Sequence, residues 1–141
     1  MKANELMIDD WVLWKDKPVQ IARVSGVVYS FGHIDVTLAH CGNGVLETHD
    51  IKSISPIPLT QEILEKNGFV IKKKWAQIGN FGNSPLIMWH FVDDPVLKDY
   101  KHELEVHQND TGKVHVHIPC EYVHELQHAF RMCGITQEIE I

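Results

Sequence analysis

The chain has 141 residues, 44% of them hydrophobic, and a formal net charge of −6. This length fits one domain or two small subdomains, and the apolar fraction suffices for a core. The acidic balance argues against general nucleic-acid binding, because neutralising phosphates requires a basic surface. One basic run, Lys72-Lys73-Lys74, is interpreted as a solvated strand segment.

Cysteine usage and the absence of a long apolar run favour a cytoplasmic protein. Three cysteines without a CxxC spacing argue against a disulfide framework and suit a reducing compartment. Asp9 and Asp10 lie where a signal peptide needs apolar residues. No segment approaches the roughly 20 apolar residues of a membrane span, so we expect no membrane association.

The first 57 residues predict short β-strands joined by tight turns. Ile34, Val36 and Leu38 alternate with polar residues, as a half-buried strand should, and the sequence CGNG at 41–44 is typical of a turn. The predicted strands cover residues 11–14, 19–24, 34–38 and 45–48, with a further turn at 15–18. Strands this short and this closely spaced predict an SH3-like β-barrel subdomain over residues 1–57.

Residues 58–141 predict an α+β subdomain that begins with a short helix over 61–67. Thr60 is a good N-cap for this helix, and Gly68 suits the left-handed C′ position of a Schellman motif. The remaining predicted elements are strands at 69–78 and 86–92, a hairpin, and a C-terminal helix over 121–132 that is packed on the sheet and ends at Gly134. The whole chain is thus expected to be α+β and mainly β.

The register of the hairpin between residues 102–108 and 113–118 follows from burial. A three-residue loop with Gly112 in the bulge position pairs Val106 with Val116 and Leu104 with Ile118, which places the apolar residues on one face. A two-residue loop would mix the two faces. The opposite face of the expected hairpin holds Glu103, Glu105, His107, His115 and His117.

Residues 124–128 read HELQH, which matches the HExxH motif of zinc hydrolases. His124 and His128 lie one helical turn apart and could ligate zinc, with Glu125 as general base on the metal-bound water. A random shuffle of this composition gives the match roughly one time in twenty. A catalytic site also needs a third protein ligand, and the short tail, which carries Glu138 and Glu140, is expected to fold back to supply it only with difficulty. The apolar stripe of the helix is centred on Leu126 and Phe130, so both imidazoles are expected to face solvent.

Two weaker groups of metal ligands are present, and either could hold zinc or nickel adventitiously. One lies along the C-terminal helix. The other lies on the polar hairpin face, where Glu105 is expected opposite His117 and His107 opposite His115. The expected state of both is a solvated surface with no cofactor. The first group consists of Cys120, His124 and His128, and the second of Glu105, His107, His115 and His117.

The segment 55–69, SPIPLTQEILEKNGF, resembles the middle of a family of small uncharacterised proteins common in Bacteroidetes-type bacteria. The resemblance covers most of the chain, including the opening IDDWV at 8–12 and the helix YVHELQ at 122–127, and it implies no assigned activity. The family's terminal helix tends to carry glutamine and asparagine where this chain has Glu125 and His128. The resemblance therefore lowers the expectation of zinc chemistry.

A binding surface is predicted around Trp11, Trp14 and the loop from Tyr29 to His33. Small SH3-like barrels often bind peptides or other macromolecules between their loops, which is an argument from the fold alone. The leading expectation is a non-enzymatic binding or adaptor module for an unknown protein or peptide partner. The alternatives are a zinc-dependent hydrolase that uses HELQH and, as a minor one, a nucleic-acid-binding protein. The sequence does not set the oligomeric state.

Overall fold

The computed structural model describes residues 2–15, 20–40, 44–73, 75–78, 86–91, 102–107 and 114–141. The chain forms two compact units, residues 1–57 and 58–141. Each unit contains one five-stranded antiparallel sheet, and both α-helices of the described residues lie in the second unit. The structure confirms a mainly β protein of the α+β class.

The N-terminal sheet has the strand order β4-β3-β2-β1-β5. Four strands follow one another in the chain as neighbours, and the fifth returns to pair with the first. No pairing between β4 and β5 is found in the described part of this unit, so a closed barrel is not observed. The strands are β1 (Trp11–Trp14), β2 (Gln20–Ser30), β3 (His33–His40), β4 (Leu46–Asp50) and β5 (Ile54–Pro56), with short 3-10 helices at Ala3–Glu5 and Ile51–Ser53.

Alternating apolar residues build the core of this unit, as the period-two pattern of β3 predicted. Val12 on β1 pairs with Ala22 on β2, and Val24 on β2 pairs with Leu38 on β3. All four side chains are fully buried, so one face of the sheet is apolar across three strands. The complete buried cluster consists of Leu6, Val12, Ala22, Val24, Val36, Leu38 and Ile54.

A long hairpin joins β2 to β3 and ends in a two-residue turn. Ser30 pairs with His33, which leaves Phe31 and Gly32 as the turn residues. Their φ angles are 48° and 82°, and positive φ at both central positions is the signature of a type I′ turn.

The C-terminal sheet has the strand order β10-β9-β8-β7-β6, and all of its pairings are antiparallel. Its central strand, β8, lies between β7 and β9. The elements of this unit are α1 (Gln61–Lys66), β6 (Val70–Ile71), β7 (Trp75–Ile78), β8 (Leu86–Phe91), β9 (His102–His107), β10 (Val114–Pro119) and α2 (Val123–Met132).

Helix α1 begins and ends where its sequence signals predicted. The side chain of Thr60 accepts a hydrogen bond from the backbone N–H of Ile63 at 3.3 Å. Gly68 has φ +84° and donates to Glu65 O, and Phe69 N–H donates to Leu64 O, both at 3.0 Å. These two bonds complete a Schellman motif.

The predicted single strand over 69–78 is wrong, because the chain reverses within it. Val70 pairs with Gln77 and Ile71 with Ala76, which makes β6 and β7 a tight hairpin. Lys72 N–H donates to Trp75 O at 2.8 Å, so Lys72 lies at the start of the turn rather than in a solvated strand. Three consecutive lysines offer no apolar side chain for a buried face, and the chain turns at that point.

The pairing of β9 with β10 follows the register that burial selected. Val106 pairs with Val116, Leu104 with Ile118 and Glu105 with His117. The expected pairing of His107 with His115 is wrong, because the register shifts between Val114 and Val116 and His107 pairs with Val114. Such a shift is a β-bulge, which adds one unpaired residue to one strand.

Other predicted features lie outside the described residues. These are most of the turn at 15–18, most of the turn at 41–44 and the hairpin loop that contains Gly112. Within the part of the chain that is described, no helix is both long and apolar enough to cross a membrane.

Candidate functional site

The tip of the β2–β3 hairpin exposes aromatic side chains. The side chain of Phe31 is fully exposed, and that of Tyr29 is 67% exposed. The neighbouring Val28 is half exposed, and His33 is exposed as well. Since single exposed apolar residues are normal but clustered ones are not, this tip is a candidate contact surface.

The two tryptophans that were expected to join this surface lie elsewhere. Trp14 packs against the buried cluster of the N-terminal unit, and its ring lies 4.2 Å from that of His49. Trp11 is three residues earlier on the same strand and therefore points to the opposite face. The Arg23 guanidinium lies 4.3 Å above its ring, a cation–π contact. Tyr29 is six residues beyond Arg23 on β2, roughly 20 Å away along the strand, so the expected single surface is divided.

The two residues that precede the N-cap of helix α2 are attached to the apolar side of the C-terminal sheet. Trp89 Nε1 donates to Cys120 O at 2.8 Å. The ring of His102 stacks on Trp89 at 4.2 Å, and its Nδ1 lies 3.0 Å from Glu121 Oε2. The HELQH segment therefore starts from a position that β8 and β9 fix.

Glu125, the general-base candidate of HELQH, forms the N-terminal cap of α2. Its Oε2 accepts hydrogen bonds from the backbone N–H groups of Glu121 at 2.6 Å and Tyr122 at 3.0 Å. These donors belong to the helix start, where N–H groups have no partner within the helix. This cap also explains why the helix begins at Val123, two residues later than expected. A glutamate three residues after the N-cap position, here Tyr122, could have been recognised in the sequence.

The expectation that both imidazoles of HELQH face solvent is wrong for His124, which is only 3% exposed. Its ring stacks on that of Tyr122 at 5.9 Å, and the ring of His128 meets it edge-on at 5.6 Å. Buried residues cover roughly 220° of α2 at 100° per residue, because the helix is packed on more than one side. They are Val123, His124, Leu126, Gln127, Ala129 and Phe130.

The C-terminal tail folds back onto α1, against expectation. Asn67 Nδ2 donates to Glu140 O at 2.7 Å, and Asn67 Oδ1 accepts from Glu140 N at 2.8 Å. Gln137 Nε2 donates to Asn67 O, and Ile139 is buried. The side-chain amide of Asn67 therefore satisfies both backbone groups of Glu140, which would otherwise need a neighbouring strand as partner. Neither Glu138 nor Glu140 is part of a cluster of metal ligands with His124 and His128 in the described residues.

Cys120 also lies apart from any such cluster among the described residues. Its side chain is fully buried, and burial raises the pKa of its thiol well above the ordinary value, with smaller contributions from the negative charges of Glu125 and Glu121. A thiol that keeps its proton is a poor metal ligand and a poor nucleophile. Cys120 therefore behaves as a small core residue.

The polar face of the C-terminal sheet brings together two imidazoles and two carboxylates. His90 on β8 pairs with Glu103 on β9, and Glu105 on β9 pairs with His117 on β10. One ligand atom from each of the four residues lies within 4.8 Å of the other three. We call this group the His–Glu cluster.

Short distances connect the members of the His–Glu cluster. His90 Nε2 lies 3.3 Å from Glu103 Oε1 and 3.5 Å from Glu105 Oε1. His117 Nε2 lies 2.6 Å from Glu103 Oε2. Glu103 is buried, whereas the side chain of His117 is half exposed, so the cluster opens to solvent on the side of β10.

Sequence reasoning found half of the His–Glu cluster. Glu105 and His117 were placed opposite one another, and His107 does contact Glu105, with Nε2 at 3.0 Å from its Oε2. His90 and Glu103 were missed as partners. His90 is the one polar residue in the apolar run of β8, and that interruption is the available signal.

Comparisons of the chain with protein families, with curated proteins and with solved structures found no match. The resemblance of residues 55–69 to small bacterial proteins therefore stays a prediction.

Proposed function

We propose that the protein is a non-enzymatic binding module that docks onto a partner protein through the tip of its β2–β3 hairpin. The observation that carries this proposal is Phe31, which combines a φ of +48° with a fully exposed side chain. The expected partner offers an apolar pocket that accepts an aromatic ring.

The conformation of Phe31 indicates that this residue does not contribute to the stability of the fold. A left-handed conformation costs an L-amino acid about 1–2 kcal/mol, and type I′ turns favour asparagine or glycine at this position. A fully exposed ring regains nothing through burial. Backbone strain of this kind is found most often at functional sites, and aromatic residues are the preferred anchors of protein interfaces.

Two further features support a module without catalysis. The carboxylate of Glu125 serves as a helix cap rather than as a free base beside two imidazoles. The strand order of the N-terminal sheet, in which β5 returns to β1, supports the SH3-like barrel that belongs to this proposal. A cytoplasmic location is part of it as well, since Cys120 and Cys133 are free thiols.

The test is a comparison of three proteins in a crosslinking pull-down from native lysate. Phe31→Asn removes the ring and relaxes the turn, so it should lose the partner and raise the free energy of unfolding by about 1 kcal/mol. Leu46→Asn is the matched control, because Leu46 is an exposed apolar residue on β4 of the same unit.

The expected result is a protein recovered with the wild type and with Leu46→Asn but absent with Phe31→Asn. Identical capture by all three proteins would contradict docking through the hairpin tip. A loss of stability in Phe31→Asn would contradict the assignment of strain to this turn.

A further inference from the structure

We propose that the His–Glu cluster binds one divalent first-row transition-metal ion, with zinc as the test ion. The ligands are His90, Glu103, Glu105 and His117. This site lies in the C-terminal unit and is independent of the hairpin tip, so it goes beyond the proposed docking function.

The spacing of the ligand atoms fits a metal ion. Four ligands held about 2.0–2.2 Å from zinc in tetrahedral geometry lie roughly 3.3–3.6 Å from one another. His90 Nε2 already lies at 3.3 Å and 3.5 Å from the two carboxylates. The pair of His117 and Glu103, at 2.6 Å, would separate by somewhat less than 1 Å on binding.

An independent observation concerns His90 Nε2 itself. This atom is buried, and within the described residues it makes no hydrogen bond, although two carboxylate oxygens lie near it. The contacts satisfy the distance of an ion pair but not the angles of a hydrogen bond. A buried nitrogen is normally hydrogen-bonded, and a metal ion between these three residues would satisfy it.

The backbone holds the cluster in place. The four residues lie on three neighbouring strands as two directly opposed pairs, His90 with Glu103 and Glu105 with His117. The remaining contacts are diagonal, so all the Cβ separations are set by the antiparallel ladder. His107 lies outside the cluster and contacts Glu105 through Nε2 at 3.0 Å. Such outer contacts orient metal ligands and tune their basicity.

The donor set selects the class of ion. Imidazole nitrogen suits zinc, iron, nickel and copper, whereas magnesium and calcium prefer oxygen ligands alone. Two carboxylates balance the charge of a divalent cation. Four protein ligands match closed structural zinc sites, while catalytic sites keep one position for water.

The experiment uses the full chain without a histidine tag, treated with chelator and dialysed. Isothermal titration with ZnCl₂ should show one equivalent bound and a raised Tm, whereas MgCl₂ and CaCl₂ should give neither. Cobalt(II) should give the intense visible bands of a tetrahedral site. We expect His117→Ala and the isosteric Glu105→Gln each to weaken zinc binding by at least tenfold.

The matched controls are His128→Ala, which changes the HELQH motif, and His33→Ala, which removes an exposed histidine from the N-terminal unit. Both should bind zinc like the wild type. The proposal is overturned if zinc does not bind, if His117→Ala and Glu105→Gln bind with unchanged affinity, or if His128→Ala abolishes binding. The hairpin tip and the His–Glu cluster lie in different units, so Phe31→Asn should bind zinc normally. A failure of zinc binding therefore leaves the hairpin-tip proposal intact.

Discussion

The two sheets have the same number of strands and the same antiparallel pairing, but they differ in where polar groups are buried. Of the buried polar residues in the described parts of the chain, Asp10 alone lies in the N-terminal unit. The C-terminal unit holds the other four, which are Asn67, Glu103, His124 and Gln127.

This difference teaches how each unit is stabilised. The N-terminal core is apolar packing, which tolerates exchange of similar side chains. The C-terminal unit depends on hydrogen bonds and charges in a low-dielectric environment, where each unsatisfied group is costly. Its stability should therefore respond to single polar atoms and to pH.

The largest expected effect is that of Asn67→Ala, which should lower the free energy of unfolding by about 2 kcal/mol. The change removes three hydrogen bonds of the Asn67 side chain, two donated to the carbonyls of Ile63 and Glu140 and one accepted from the Glu140 N–H. Urea denaturation gives the energy, and hydrogen exchange should show faster exchange of the Glu140 amide.

Gln137→Ala is the control for Asn67, because it removes one part-buried hydrogen bond to the same segment. It should cost less than about 1 kcal/mol. An equally small loss for Asn67→Ala would break the contrast between the two units.

The next effect is a dependence on alkaline pH through Cys120. Burial raises the pKa of this thiol in the folded protein, whereas the thiol of the unfolded chain ionises from about pH 8.5. Above that pH the folded state binds more protons than the unfolded state, so stability is complete below it and falls as pH rises. The slope is at most about 1.4 kcal/mol per pH unit.

Denaturation between pH 7.5 and 10 measures this slope, which should be smaller in Cys120→Ala. The slopes are compared rather than the absolute stabilities, because the alanine also leaves a small cavity. Equal slopes in the two proteins would remove Cys120 as a source of pH dependence.

The smallest effect distinguishes the two roles considered for Glu125, which are helix cap and general base. Glu125→Ala should cost about 1 kcal/mol, like loss of a typical N-cap. Glu125→Gln should cost only a few tenths, because its amide oxygen still accepts from the helix start and only the charge near the helix dipole is lost. Thermal unfolding measures both, with Thr60→Ala in α1 as a reference of comparable size.

A general base would give a different ranking, since glutamine cannot replace a carboxylate in proton transfer. Zinc-dependent hydrolysis that is present in the wild type and lost in Glu125→Gln would revive the HELQH alternative.

Local signals in the sequence predicted the elements that depend on neighbouring residues. Thr60 and Gly68 limit α1 as expected, and the burial of Leu104 and Val106 set the register of β9 with β10. These features are decided within a few residues or one hairpin, where period and turn chemistry suffice.

Features that depend on distant parts of the chain were missed. The pairing of His90 with Glu103 requires the order of strands β8 and β9, which the sequence pattern does not specify. His124 is buried because packing covers more of α2 than its apolar stripe indicates. Strand β5 was overlooked because Pro56 discourages a strand assignment, yet proline is tolerated on an edge strand such as this one.

The long β2–β3 hairpin also bears on self-association of the protein at high concentration. Strand β1 pairs with β2 only over residues 20–23, whereas β3 pairs with it up to Ser30. Residues 25–32, SGVVYSFG, contain neither a charge nor a proline. Such a segment on an open strand edge is a template for amyloid-like association. The nearest charges are Arg23 before the segment and Asp35 after it, and charged residues in such flanking positions oppose association.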